Sequence, residues 1–395
     1  MSAARPLSLD EFAEAAHSAG RFALDTEFMG EGRYRTLLCL IQLAVPVWST
    51  EDDPILLLDP LAADFDGAAL AALLADPAVE VVVHAGRQDV ALLRRALETD
   101  VTRLFDTQVA AGFAGLGSQS SYDSLLREVL GVRLRKSASF TRWDARPLTD
   151  EQLDYARDDV VHLLDLAERI SERLESLGRL SWALEECDPL TRASDERDPD
   201  NILRRLPRST ALSPRSRSVA RELVLWREAN AARHDRPVQN ILGDPTLVEI
   251  ARRVPRSAEQ LERIRGVGTI RGNRGRELMA AVERGLENEP PPVPERHGGP
   301  FGKPEDAPLV ALAESLLRAR ALQAKIAYEL LATRADLQAI VAALREGSEP
   351  VDARPLNGWR RELVGEELLR LLSGQVALAV AEGGSGTAIQ IHPLE

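Results

Sequence analysis

A chain of 395 residues with 44% hydrophobic content is too long for one ordinary domain and apolar enough to bury real cores, which excludes wholesale disorder. A formal net charge of −13 argues against a general nucleic-acid coat, and an aromatic content of 4% argues against an extended base-stacking platform. Cys39 and Cys187 stand far apart, outside any metal-ligand spacing, and are expected as free thiols in a reducing compartment; with no apolar signal core and no apolar run of spanning length, the cytoplasm is the expected location.

Ser8-Leu9-Asp10-Glu11 has the form of a helix capping box. Arg21–Phe28 then reads as a strand, Leu37–Leu43 as a second and Ile55–Asp59 as a third. Leu70–Ala75 reads as helix, and the β-branched run Val79–His84 as a buried strand. Helices are expected over Asp89–Leu97, from Asp106, over Leu125–Leu130 and, long and amphipathic, over Glu151–Leu177. Three early strands followed by strands alternating with helices predict an α/β unit with a mixed sheet covered by helices.

Strand signals stop near residue 185. The expected division is a first unit over 1–187, a polar linker over 188–210, a helical unit over 211–287, a Pro/Gly-rich linker over 288–306, a second helical unit over 307–374 and a tail over 375–395, hairpin or loose. Basic charge gathers in the middle third: from 204 to 221 the chain carries Arg204, Arg205, Arg208, Arg215, Arg217 and Arg221 without an acid, and a second arginine-rich stretch follows from Arg252 to Arg276. Taken alone, such arginines favour solvated helix faces over a nucleic-acid track.

Asp25 and Glu27 lie two apart at the end of the first strand, so both carboxylates point to one face. Two acids together there are costly unless a cation shares them, or unless the strand end turns into solvent. Asp89 follows the strand ending at His84 and the turn at Gly86, and falls on the first turn of a helix, where Asp is also an ordinary helix-start residue. Tyr155 and Asp159 are four apart and share the inward face of a helix, with Asp158 about 100° around it. Oxygen-only ligands select hard cations, magnesium or manganese, and two such ions can clamp an in-line phosphoryl displacement while a tyrosine hydroxyl orients the water.

This ordered set resembles the DEDD exonuclease superfamily, and within it the ribonuclease D family. The motifs are Asp25-Thr26-Glu27-Phe28, His84-Ala85-Gly86-Arg87-Gln88-Asp89 and Tyr155-Ala156-Arg157-Asp158-Asp159, the last in the tyrosine-subclass form. Leu40-Ile41-Gln42-Leu43, Phe105-Asp106-Thr107-Gln108 and Trp143–Thr149 support them. The resemblance implies a ribonuclease-H-like exonuclease domain, Asp25, Glu27, Asp89 and Asp159 as ligands of two divalent ions, and Tyr155 positioning the attacking water. Trp226-Arg227, Arg236-Pro237, Ile241-Leu242 and Ile264–Gly268 are similar to the helical domain shared by helicases and ribonuclease D (HRDC), and the block from Pro308 is similar in helical pattern. Two all-α bundles of this kind are therefore expected after the nuclease.

The implied activity is 3′-5′ exoribonucleolytic release of nucleoside 5′-monophosphates from RNA with a free 3′ end, such as tRNA precursors. Phe28, His84, Lys136 and Arg146 are candidate substrate contacts at the nuclease site, and Gly266 and Gly268 would expose backbone amides to a phosphate. No membrane contact is expected, and a monomer is the expected state. A DNA exonuclease of the repair type and a non-catalytic RNA-binding scaffold are the alternatives; the scaffold predicts a lost carboxylate, and all four are present.

Overall fold

The computed structural model describes residues 5–46, 52–134, 142–267, 273–291, 303–348, 353–380 and 389–394. Its first half contains the strands β1 (Arg5–Pro6), β2 (Arg21–Met29), β3 (Leu37–Ala44), β4 (Asp52–Asp53), β5 (Ile55–Leu58), β6 (Glu80–Val83) and β7 (Leu104–Asp106). Five of them make one sheet in the order β5-β3-β2-β6-β7, while β1 and β4 pair separately. β3 runs antiparallel to both β2 and β5, and β6 runs parallel to both β2 and β7, so the sheet is mixed as expected.

Alternation along the strands divides the apolar residues between two faces. Phe22, Leu24, Ile41, Leu43, Val81 and Val83 meet helices α1 (Leu9–Ala19), α2 (Ala68–Ala75) and α3 (Arg87–Ala96). Phe12 of α1 closes edge-on over Phe22, with ring centroids 5.9 Å apart. Ala23, Ala44, Val82 and Phe105 meet the opposite layer, which includes α4 (Thr107–Phe113), the short α5 (Tyr122–Leu125), α7 (Leu163–Ser176) and α8 (Leu180–Cys187). α6 (Asp150–Val161) lies over β2, β3 and β5 on this same side. Each fully buried Leu or Phe in these layers contributes about 1.5–3 kcal/mol.

Local signals explain the helix starts. Ser8 and Glu11 form the expected capping box, and Thr149 and Gln152 form a second one at the head of α6. The single long helix expected over Glu151–Leu177 is instead two, α6 and α7, divided at His162, where the backbone leaves helical geometry without any proline or glycine to announce it.

The stretch 188–210, polar in sequence, is largely helical: a 3₁₀ turn over Asp188–Arg192 is followed by α9 (Pro199–Arg205), capped by Asp198. Leu203 and Leu206 from it are buried with Val219 and Leu223 of α10 (Pro214–His234), which is why this segment folds. α10 ends at Asp235 in the left-handed conformation and is followed by short and longer helices, Val238–Ile241 and Asp244–Arg253. The block from Pro308 repeats this arrangement: Ala307–Ala324 ends at a left-handed Lys325, then come Tyr328–Leu331 and Arg334–Arg345.

In the C-terminal stretch, β8 (Val376–Val380) pairs antiparallel with β9 (Ile389–Pro393), so its described residues form a two-stranded ribbon; Gly383–Gly386 lies outside them. Trp359 of the last helical block stacks on Trp182 of α8 (centroids 5.3 Å) and meets Phe113 of α4 edge-on (4.9 Å). That block therefore shares one buried cluster with the nuclease layer, whereas α10 and its neighbours have a cluster of their own.

Candidate active site

β2 is the central strand, and its register places Asp25 opposite Gln42 and Glu27 opposite Leu40, with a bulge between Glu27 and Phe28. Both acids thus face the layer that holds α6, which carries Asp159 and Tyr155. One carboxylate oxygen from each of Asp25, Glu27 and Asp159 lies within 4.8 Å of the others. Asp89, at the third position of α3, lies close enough for its charge to act on Asp25 and Glu27, but its own carboxylate is turned to accept a hydrogen bond from the Thr26 hydroxyl.

No lysine, arginine or histidine among the described residues forms an ion pair with any of these four acids. Burial, reinforced by Asp89, Asp159 and Glu27, raises the Asp25 carboxyl well above its ordinary range. Burial and the charges of Asp159 and Asp89 push Glu27 up to about 8, and burial with Asp158 pushes Asp159 up to about 7. Asp89 is raised as well, chiefly by burial. Three clustered carboxylates, with Asp89 beside them, that repel one another and have no counter-charge paired to them among the described residues fit hard divalent cations.

The same crowding sets a pH dependence. The native carboxyls keep protons that the unfolded chain has already lost, so stability falls wherever the native state binds more protons. The favourable contribution is fully present below about pH 4 and is lost as pH rises to about 8, the Glu27 value. The metal-free protein is therefore expected to melt several degrees lower at pH 8 than at pH 5, with added manganese reversing the loss at pH 8. Differential scanning calorimetry at the two pH values checks this, and a flat profile would contradict it.

Tyr155 completes the cluster. Its hydroxyl donates to Asp159, and its ring lies against Trp143, with centroids 6.0 Å apart. Burial, then the charges of Asp159, Glu27 and Asp25, raise its pKa far above the ordinary tyrosine value, so the hydroxyl stays protonated.

The other candidates separate. His84 places Nδ1 3.0 Å from the Thr107 hydroxyl and packs its ring near Tyr122, and burial lowers its pKa against the opposing charge of Asp106; it is a hydrogen-bonded side chain with no interaction shown to the four acids. Phe28, just past the bulge, is partly exposed beside Glu27. Arg146, offered by the sequence for a phosphate, is engaged within the protein: it holds Asp59 bidentately at 2.6 Å and donates to the carbonyls of Cys39, Trp143 and Ala145. Gly266 has φ +92, and a Cβ there would stand 2.2 Å from the Thr246 hydroxyl, so the local backbone already accounts for the glycine. Lys136 and Gly268 lie outside the described residues.

Asp106 is a residue whose role sequence reasoning did not assign. Buried at 1% exposure, its carboxylate accepts from the backbone N–H groups of Ala85 (3.0 Å), Gly86 (2.9 Å), Gln108 (2.8 Å) and Val109 (3.3 Å). It thereby caps α4 and fixes the turn that launches α3. That turn needs the help, because Ala85 has a left-handed φ of +56 and Gly86 gives α3 no side-chain cap. The sequence signal was the acid at the head of α4, but not its second job.

Among the arginines, Arg204, Arg205, Arg208 and Arg215 are exposed, whereas Arg217 is buried and Arg221 is paired with Asp200 at 2.7 Å. The loop after β2 is tied to the first helical unit: Arg33 pairs with Asp235 at 2.8 Å, and the Tyr34 hydroxyl donates to Glu228, which Arg197 also holds.

Comparison with known proteins agrees with this geometry. A 3′-5′ exonuclease family model matches residues 5–175, and an HRDC domain model matches residues 216–282. The ribonuclease D of Granulibacter bethesdensis is 38% identical over 363 residues, covering 90% of this chain and 88% of that protein. The ribonuclease D of Gluconacetobacter diazotrophicus is 36% identical, covering 94% of this chain and 91% of its own. The crystal structure of Escherichia coli RNase D, described as an exoribonuclease involved in structured RNA processing, superimposes with a TM-score of 0.77 at 28% identity, covering 94% of this chain and 99% of that one. With two curated relatives above 30% identity over nine-tenths of its length and a site built on the expected carboxylates, this chain belongs to the ribonuclease D family, the DEDD-type 3′-5′ exoribonucleases.

Proposed function

We propose that the chain trims structured RNA from the 3′ end, releasing nucleoside 5′-monophosphates, with Asp25, Glu27, Asp89 and Asp159 as ligands of two divalent cations, magnesium or manganese. The observation that carries this reading is the convergence of Asp25, Glu27 and Asp159 without an ion pair to any cationic side chain among the described residues. Bound there, such ions supply a Lewis-acid clamp for in-line displacement at phosphorus. Asp89 joins the set by rotating away from Thr26, and Tyr155, held by Asp159, orients the attacking water with a hydroxyl that keeps its proton. Phe28 lies against the terminal base.

The same reading divides the chain into a nuclease unit (1–187) and two HRDC-like units (211–287 and 307–374), acting as a monomer. The exposed Arg204, Arg205, Arg208 and Arg215 meet the phosphates of the RNA body, and tRNA precursors are the substrate class in view. No described helix is long and apolar enough to cross a membrane.

Digestion of a 5′-labelled RNA hairpin with a single-stranded 3′ tail, beside the matching DNA, tests this. A ladder shrinking from the 3′ end on RNA with magnesium or manganese, and absent in Asp159→Ala, is the expected result. A ladder on DNA alone would transfer the protein to the repair type. Binding without cleavage of either would make it a scaffold.

A further inference from the structure

Gln42 is the least expected side chain in the sheet. It has 0% exposure, and neither its amide oxygen nor its amide nitrogen has a hydrogen-bond partner among the described residues. An amide left in that condition costs about 1–3 kcal/mol, and aliphatic residues of the same size would fill the position without that cost. Packing alone therefore does not explain a glutamine.

Its position does. Gln42 stands directly opposite Asp25 on β2 and Leu57 on β5. Directly opposed residues share a face with Cβ atoms about 5 Å apart. The row across the sheet thus reads Leu57, Gln42, Asp25, beneath the layer that holds α6, and the only polar neighbour in that row is the catalytic-site carboxylate. Asp25 has the complementary need. Its charge is surrounded by Asp89, Asp159 and Glu27, and no arginine or lysine among the described residues pairs with it. A neutral amide donor can hold a carboxylate oxygen without competing with a cation for the other one, which a lysine in this row would do.

We propose that Gln42 is a positioning residue for Asp25: its Nε2 donates, through one buried water, to the Asp25 oxygen that faces away from the cations. This rests on the reading of Asp25 as a metal ligand. Gln42 then sets the direction of the other lone pairs, and part of the ordering that cation binding would otherwise impose is already built into β3.

Gln42→Leu tests this in the full-length protein, with Gln42→Met as a second, unbranched replacement in case branching disturbs the packing. Three quantities are measured: the melting temperature without metal, manganese affinity by calorimetry, and kcat and KM on a 3′-tailed RNA. The expected result is an unchanged or raised melting temperature, with manganese affinity and kcat each lower by about tenfold to a hundredfold and KM for RNA unchanged. Parental manganese affinity and kcat in a folded variant would overturn the proposal, as would a lowered melting temperature with parental manganese binding, which marks a packing role alone. Asp25→Asn measured alongside separates the two levels: if that variant binds manganese like the parent, the reading of Asp25 fails, whatever Gln42 does.

Discussion

Asp25→Asn is expected to lower kcat on a 3′-tailed RNA by about a thousandfold or more, because on the proposed reading it removes an oxygen ligand whose ions supply several kcal/mol of charge stabilisation at the transition state. Asparagine matches aspartate in shape, so the strand and its register opposite Gln42 remain. The same change should make the metal-free protein more stable near neutral pH, since the charge it deletes is repelled by Asp89, Asp159 and Glu27. Activity and apo stability thus move in opposite directions. A variant that simply misfolded would lose both, so melting curves taken with the kinetics discriminate. Activity within about tenfold of the parent's would remove Asp25 from the centre.

Tyr155→Phe is expected to reduce kcat by about a hundredfold to a thousandfold, the usual contribution of a group that positions or exchanges a proton at the reacting atom. Phenylalanine keeps the ring against Trp143 and loses only the hydroxyl that donates to Asp159. KM for RNA and manganese affinity should therefore stay at parental values, which is the signature of an interaction made in the transition state. Because burial and three carboxylates hold that hydroxyl in its protonated form, the parent's pH–rate profile should show no alkaline limb assignable to it. Single-turnover kinetics on RNA, with calorimetry for the metal, measure both halves; a loss confined to KM would assign Tyr155 to substrate binding instead.

What could be read in the sequence was what depends on period and spacing. The two-residue spacing of Asp25 and Glu27, and the four-residue spacing of Tyr155 and Asp159, determine which face each side chain takes, and the structure brings those faces together. The Ser8 capping box was legible for the same reason. Less legible was anything decided by a distant partner. Nothing near His162 announces that one long helix becomes two. The charged stretch around α9 reads as linker because the apolar surface that receives Leu203 and Leu206 lies on α10. Arg146 looks available until Asp59, 87 positions earlier, is brought beside it. Asp89 combines both cases: the spacing places it on α3, yet the hydroxyl that holds its carboxylate comes from the neighbouring strand.

The stack of Trp359 on Trp182, edged by Phe113, changes what a boundary means in this chain. The Glu186 carboxylate adds a polar clasp there, accepting from the Trp359 indole (3.2 Å) and from Arg360 (2.6 Å). Shortening the gene at the Pro/Gly-rich stretch would leave the entire nuclease sequence intact and still strip the outer wall from its helical layer. The exposed scar would be aromatic and aliphatic, with a carboxylate left without its cation. The last helical block is in that sense the nuclease's own cladding, whereas the block before it holds its core privately and meets the loop after β2 through the Arg33–Asp235 ion pair and the Tyr34–Glu228 hydrogen bond.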